Sequence, residues 1–335
     1  MVRIALLGTG FQGQGHLNTI KEIPEIELVG MCDLNREALT RAEKKFGIPA
    51  FSDYVEMLKE TKPEGVIICT PPEVRLQPVR EAAERGIHCF IEKPPAKHLH
   101  MAEEVIEVLD RTGVINSVGF MFRYSQAANR CRELIQGRRI ALVRSAMLDG
   151  LALRENWPRW FFDKERSGGP IFDQAVHMLD LSRFMLGEMS QISGFQDNLV
   201  IPKEGDFTVE DSFSLSLRYK DGPLQNHTHS WVYPGFVAEM EFISDEMHLT
   251  LDLARGRLSG HIDGEPIDFE NEDHLYRKEL EVFAEAISSN RQDLIHSNYS
   301  DSVKSLSAAL GAVKALEEEK VVSLEQLENI RMSNK

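Results

Sequence analysis

Lys93 and His177 carry the side chains in this chain best suited to handle a proton, and each sits in a segment that would hold it in place. Lys93 lies in Glu92-Lys93-Pro94-Pro95, directly after the apolar run that starts at His88. The prolines stiffen the backbone beyond it, which places an amine well for chemistry, although a solvated surface cation has the same local sequence. His177 lies in Ser167-Gly168-Gly169-Pro170-Ile171-Phe172-Asp173-Gln174-Ala175-Val176-His177-Met178-Leu179-Asp180. Pro170 suits a first helical turn, and a helix from there to Leu186 would put Asp173 and His177 on one face, with Asp180 a turn further on. The rest of that helix is mostly apolar, so its polar groups need partners from the protein or from a ligand. An imidazole is suited to proton transfer near neutrality; the plainer reading is a core histidine satisfied by Asp180.

A third cluster has the form of a nucleotide cradle. Gly8-Thr9-Gly10-Phe11-Gln12-Gly13 fits G-x-G-x-x-G, follows an apolar run and opens a helical pattern. The first glycine permits the tight turn and the second admits a pyrophosphate. The third lets helix and strand pack closely, with the helix N-terminus facing the anion. Asp33 ends the second apolar run. A carboxylate there accepts hydrogen bonds from an adenosine ribose and repels a 2′-phosphate, which favours NAD over NADP. Arg36 could stack on adenine or tolerate NADP, so NADP stands as the alternative cofactor. Thr70 and Pro71, in Cys69-Thr70-Pro71-Pro72, end another run and are placed to line a nicotinamide ribose.

These residues need rigid elements behind them. Val2–Gly8, Ile26–Cys32, Gly65–Cys69, His88–Glu92 and Val114–Phe120 are continuous apolar runs, as expected of parallel strands buried on both faces. Helical patterns separate them, which specifies an α/β Rossmann fold with a doubly wound parallel sheet. From about residue 123 the pattern changes. Helices are expected over Ala127–Gln136, Pro170–Leu186, Leu275–Ser288 and Ser300–Glu319. Strands are expected over Ser212–Tyr219, Leu224–Val232, Val237–Ile243 and Met247–Leu253, the first two joined by Lys220-Asp221-Gly222-Pro223. The division is therefore a Rossmann dinucleotide-binding domain over 1–122 and a C-terminal α/β domain over 123–335, for substrate binding and oligomerisation, with a mostly antiparallel sheet.

Composition narrows the partners. The 335 residues carry 38 Lys+Arg against 53 Asp+Glu, a net charge of −15, which disfavours nucleic acid and anionic membrane surfaces. No apolar run approaches the ~20 residues of a membrane helix, and the N-terminal run is too short for a signal peptide. The 4 cysteines stand singly, as reduced thiols in a cytoplasmic protein do, and not in the spacing of a zinc site.

Two stretches of the second half would shape a pocket. Arg154-Glu155-Asn156-Trp157-Pro158-Arg159-Trp160-Phe161-Phe162 combines aromatic faces with cationic donors, which suits a sugar or sugar acid; its arginines would favour a carboxylate or phosphate on the substrate, and an ordinary packed loop with solvated arginines reads the same. His227, His229, Trp231 and Tyr233 alternate and so share one sheet face, either as the pocket floor or toward a partner subunit. No neighbouring cysteine or carboxylate cluster completes a metal site there, and His98 and His100 read as a helix-start region.

Taken in order, Gly8-x-Gly10-x-x-Gly13 with Asp33, Glu92-Lys93-Pro94, and Gly168-Gly169-x-x-x-Asp173-x-x-x-His177-x-x-Asp180 resemble the three motifs of the Gfo/Idh/MocA oxidoreductases (glucose–fructose oxidoreductase / inositol dehydrogenase-like). Gly119-Phe120 with Arg123-Tyr124 is similar to the family's junction segment, and Ser300-Asp301 and Glu319–Leu324 are similar to its closing helix and last strand. The resemblance implies a large, open C-terminal sheet and a nicotinamide-dependent dehydrogenase or reductase of a sugar, sugar acid or cyclitol. By position, Lys93 would polarise the reacting oxygen, His177 would act as general base and Asp173 would orient the substrate. Arg123, Trp157 and His229 are expected beside the substrate. Phe11, Gln12, Arg36, Glu92 and Lys93 are expected beside the cofactor. Pro170, Gln174 and Met121-Phe122 depart from the family's usual residues near the substrate, which leaves the sugar open.

An open sheet would leave apolar strand surface in water, so a homodimer or homotetramer through that sheet is expected. Two further functions share the same motifs. One is an enzyme that recycles tightly bound NAD within one turnover, by sugar–sugar oxidoreduction or through a keto intermediate. The other is a non-catalytic nucleotide or sugar sensor, which would have no need of Lys93 and His177.

Overall fold

In the computed structural model, which describes residues 1–155 and 157–325, the apolar runs of the first third pair as parallel strands. They are β1 (Val2–Leu7), β2 (Ile26–Cys32), β3 (Ala50–Phe51), β4 (Gly65–Ile68), β5 (His88–Ile91) and β6 (Asn116–Val118), in the sheet order β3-β2-β1-β4-β5-β6. Parallel pairing follows from the helices between successive strands, and it brings every strand's carboxyl end to one edge. The glycine loop, Asp33, Thr70 and Lys93 all follow strands at that edge.

The first unit is Met1–Met121 together with His274–Val303, and the second is Phe122–Asp273 with the chain from Lys304 onward. Sequence reading divided the chain once, at 122/123. The difference is the helix Leu275–Ser289, whose Leu280, Phe283, Ala284 and Ile287 join Ile4, Leu6, Leu17 and Phe90 in one buried cluster. A Leu or Phe side chain buried in this way contributes about 1.5–3 kcal/mol, so this face holds the helix to the nucleotide unit. The helical period showed an apolar face but not which sheet would cover it.

The second unit is built on β7 (Leu142–Asp149), β8 (Met189–Asp197), β9 (Ser212–Tyr219), β10 (Leu224–Ser230), β11 (Phe236–Ile243), β12 (Met247–Asp252), β13 (Arg257–Ile262), β14 (Glu265–Glu270) and β15 (Val322–Ser323). Their order is β14-β13-β12-β11-β7-β10-β9-β8-β15. β7 and β10 run parallel, and the other neighbours pair antiparallel. β7 escaped sequence reading because its inward residues, Val143, Ser145, Met147 and Asp149, alternate apolar with polar.

In the middle strands buried inward positions alternate with less buried outward ones. The outward face carries polar residues, Ser214, Ser216 and Arg218 on β9, Asn226 and Thr228 on β10 and Glu239 and Glu241 on β11. Apolar residues stand among them on the same face, Ala146 and Leu148 on β7 and Val237 and Ile243 on β11, so the outward surface is mixed.

Candidate active site

The glycine loop is shaped by two backbone constraints. Gly8 has φ +97°, which L side chains rarely adopt, and a Cβ on Gly13 would lie 1.9 Å from the Gly8 carbonyl oxygen. The helix Phe11–Ile20 then starts without a side-chain cap and without an acidic residue in its first turn, which leaves its N-terminal N–H groups to an anion. The Asp33 carboxylate is fixed on this loop. Its Oδ2 accepts the Thr9 N–H at 2.6 Å and the Thr9 hydroxyl at 3.0 Å, and its Oδ1 accepts the Asn35 N–H at 2.8 Å. Arg36 and Phe11 are exposed at the same end. Thr70 Oγ1 is buried and has no hydrogen-bond partner among the described residues. An uncapped helix start, a fixed carboxylate and an unused hydroxyl at one sheet edge fit a dinucleotide.

Lys93 begins where β5 ends, and a carboxylate braces it from behind. Glu92, 3% exposed, accepts the Lys93 backbone N–H at 3.0 Å, Gln12 Nε2 at 3.1 Å and His16 Nε2 at 2.6 Å. Burial by itself would raise the Glu92 pKa. The His16 hydrogen bond, with the charges of His16, Lys93 and Arg75, overrides it and holds the group at about 2. Gln12 and Glu92, both expected beside the cofactor, are thus bonded to each other.

The segment carrying Asp173 and His177 is not one regular helix. Ile171–Ala175 is a π-helical turn, closed by the Val176 N–H on the Ile171 carbonyl, and the α-helix proper is Val176–Leu186. The wider turn changes the angle between Asp173 and His177 from that of an α-helical i, i+4 pair; such turns recur at functional sites. His177 is 6% exposed, and its ring meets Phe122 edge-on at 5.6 Å. Asp180 accepts Arg123 Nε at 2.8 Å, Arg123 Nη2 at 2.6 Å and the Ser305 hydroxyl at 2.6 Å. Arg123, expected beside the substrate, has a side chain only 3% exposed.

Gln174 ties the π turn to the sheet. It accepts Trp231 Nε1 at 2.7 Å and donates to Asp149 Oδ2 at 3.1 Å. The arginines of the aromatic stretch are each matched by a carboxylate: Arg154 bonds Asp149 at 2.8 Å and stacks over Trp157 at 5.0 Å, while Arg159 pairs with Asp206. Their charge is answered within the protein, which weakens the sequence argument for an anionic substrate.

His227 and His229 share the inward face of β10, as the alternation predicted, and are buried; Trp231 and Tyr233 lie beyond β10, Trp231 buried with Phe161 and Phe162 and Tyr233 exposed. His229 stacks on Phe213 at 4.8 Å, and neither ring nitrogen has a hydrogen-bond partner among the described residues. Burial, then the neighbouring His227, drives its pKa well below the usual imidazole value, so the ring is neutral. No group of 3 or more potential metal ligands occurs among the described residues.

Sequence reading missed Arg75, His16 and Glu279. Arg75 is 4% exposed and bonds the Thr70, Glu92 and Pro94 carbonyls. Glu279 is 0% exposed, and neither carboxyl oxygen has a hydrogen-bond partner among the described residues. Glu279 had a legible signal: it lies four residues before Phe283, on the apolar face of its helix.

A family model described as an oxidoreductase family with an NAD-binding Rossmann fold matches residues 2–120, and one described as the GFO/IDH/MocA C-terminal domain matches residues 129–250. The chain is 28% identical over 309 residues to the scyllo-inositol 2-dehydrogenase (NAD(+)) of Bacillus subtilis (strain 168), covering 88% of each protein. It is 24% identical over 339 residues to the myo-inositol 2-dehydrogenase of Thermotoga maritima, covering 97% of this chain and 99% of that protein. Levoglucosan dehydrogenase in complex with NADH shares the fold, with TM-score 0.83 at 19% identity over 96% of this chain and 99% of that one.

Proposed function

Because the chain belongs to the Gfo/Idh/MocA family of NAD-binding Rossmann oxidoreductases, we propose that it moves hydride between NAD and a secondary hydroxyl or ketone of a sugar, sugar acid or cyclitol. The observation that carries this reading is strand order. β1, β4 and β5 are adjacent, so the glycine loop, Thr70 and Lys93 follow one another along a single sheet edge. Pyrophosphate, ribose and a reacting oxygen need those positions in that sequence.

Gly8, Gly10 and Gly13 would hold the pyrophosphate, Asp33 the adenosine ribose, and Thr70 and Pro71 the nicotinamide ribose. When bound, the nicotinamide supplies the hydride acceptor or donor. Lys93 hydrogen-bonds the reacting oxygen and polarises it. His177 takes the hydroxyl proton in oxidation and returns it in reduction, a contribution of roughly 10²- to 10⁴-fold. Asp173 accepts a substrate hydroxyl and orients the ring, and Trp157 offers it an aromatic face. Arg123 and His229, both buried, act on substrate through the elements they hold. The 4 cysteines, free and mostly buried, accord with a cytoplasmic setting, and among the described residues no helix is long and apolar enough to cross a membrane.

The test is nicotinamide absorbance with NAD and, in parallel, NADP against a panel of sugars, sugar acids and inositols. Lys93→Ala and His177→Ala are expected to lower turnover by about 100-fold or more with NAD affinity nearly intact. Unchanged turnover in either variant removes that residue from the chemistry. Nicotinamide that purifies with the protein, without net turnover, would instead indicate internal recycling.

A further inference from the structure

We propose that Arg75 and Glu92 form a buried ionic frame that locks the loops of the dinucleotide site to one another and so acts as the positioning device for Lys93. The inference rests on the reading of Lys93 as a catalytic residue. Arg75 donates through Nε to the Thr70 carbonyl at 2.8 Å and through Nη1 to the carbonyls of Glu92 and Pro94. These carbonyls belong to two loops, one after β4 and one after β5. Glu92 extends the frame to a third. Its carboxylate takes His16 Nε2 at 2.6 Å and Gln12 Nε2 at 3.1 Å, both on the helix that the glycine loop opens.

Lys93 is the residue on which the two converge. Its own N–H is bound by the Glu92 carboxylate, and the carbonyls just before and just after it are bound by Arg75. The backbone is therefore held on both sides, which fixes the point from which the amine reaches out. A guanidinium suits the first role because its rigid planar fork fixes the directions of its donors, while an ammonium on a flexible stem does not. Charge also favours having both groups in the frame. Arg75 and Glu92 are 4% and 3% exposed; carbonyls answer the one, N–H donors the other, and the opposite charges favour each other through space. Glu279 has no donor on either oxygen among the described residues, whereas Glu92 has three, which makes Glu92 the carboxylate built to stay charged here. A displacement of about 1 Å at a reacting group can cost on the order of 10²-fold, so a frame of this kind has a kinetic consequence.

The test uses the full chain as Arg75→Lys, Arg75→Ala and Glu92→Gln, beside Lys93→Ala. Two readouts are taken: turnover of NAD with myo-inositol, scyllo-inositol and D-glucose, and the rate at which trinitrobenzenesulfonate labels Lys93, followed by peptide mass spectrometry. Labelling needs no substrate. Arg75→Lys keeps the charge and is the variant to rely on if Arg75→Ala fails to fold. The frame predicts a fall in kcat of about 10- to 100-fold in Arg75→Lys and Glu92→Gln, with KM for NAD changed less than about threefold. It also predicts a change in Lys93 labelling of about fivefold or more, and recovery of both in Arg75→Ala on adding millimolar guanidinium, which leaves Lys93→Ala unaffected. Labelling and kcat within about twofold of the parent in both Arg75→Lys and Glu92→Gln would overturn the frame, as would a loss that appears only as weaker NAD binding. Retained turnover in Lys93→Ala would instead overturn the catalytic reading of Lys93, while the labelling still decides the frame.

Discussion

Asp180 holds Arg123 in a two-pronged ion pair, Oδ2 to Nε at 2.8 Å and Oδ1 to Nη2 at 2.6 Å, with both side chains 3% exposed or less. The same Oδ1 takes the Ser305 hydroxyl, so one carboxylate joins the His177 helix to two other segments of its unit. Removing the guanidinium leaves Asp180 buried without its counter-charge. Arg123→Ala is expected to lose about 3–5 kcal/mol of stability by urea denaturation. If the variant is as stable as the parent and only the KM for the polyol rises, Arg123 is a substrate ligand after all.

That pair also marks what sequence could and could not reveal. Continuous apolar runs such as Gly65–Ile68 and His88–Ile91 are legible as buried parallel strands, because nothing else places so many apolar groups in so short a run. The glycine loop and the Asp173–His177 spacing are legible as a candidate site. The π turn over Ile171–Ala175 is not, since it is defined by an extra residue between donor and acceptor and by no residue type. Arg75 was invisible for a related reason. Its carbonyl partners lie up to nineteen positions along the chain, and an arginine in a polar loop reads as a solvated cation until the fold closes over it. β10 was found by its alternation, although its inward residues, Gln225, His227 and His229, are polar where apolar ones are usual.

Asp33 is bonded to Thr9 through both the N–H and the hydroxyl, so its charge cannot swing away from a 2′-phosphate. Asp33→Ser is expected to lower the ratio of NAD to NADP affinity by about tenfold or more, measured by nicotinamide fluorescence titration. Loss of the Thr9 contacts weakens both cofactors together, which is why the ratio is the quantity to follow. Equal weakening of the two would mean that Asp33 does not face the ribose.

His227 sets an acid limit on the second unit. Burial depresses its pKa from 6.5 to about 4, while its Nδ1 keeps a 2.9 Å bond with Ser145 Oγ. The unfolded chain therefore binds a proton that the folded chain refuses, so the stability this group contributes is complete above 6.5 and is lost as pH falls toward 4. The loss across that window is on the order of 3 kcal/mol. Urea midpoints recorded through it should fall in the parent and fall less in His227→Asn, which retains a side chain able to bond Ser145. Parallel slopes for the two proteins would assign the acid sensitivity to other groups.

Glu279 sets the opposite trend in the nucleotide unit. Burial, then the charge of Glu92, raises its pKa well above 4.5, so the folded protein keeps a proton that the unfolded chain releases. Its stability contribution is complete below 4.5 and is lost as pH rises through the folded value. Glutamine has the same shape and does not titrate. Glu279→Gln is therefore expected to match the parent in acid and to gain on it by about 1.4 kcal/mol per pH unit above the unfolded value, until the folded group ionises. Urea denaturation of both proteins across the pH range checks the slope. A glutamine variant that is less stable near neutrality would show that position 279 carries a charge, and that a cation partner must reach it.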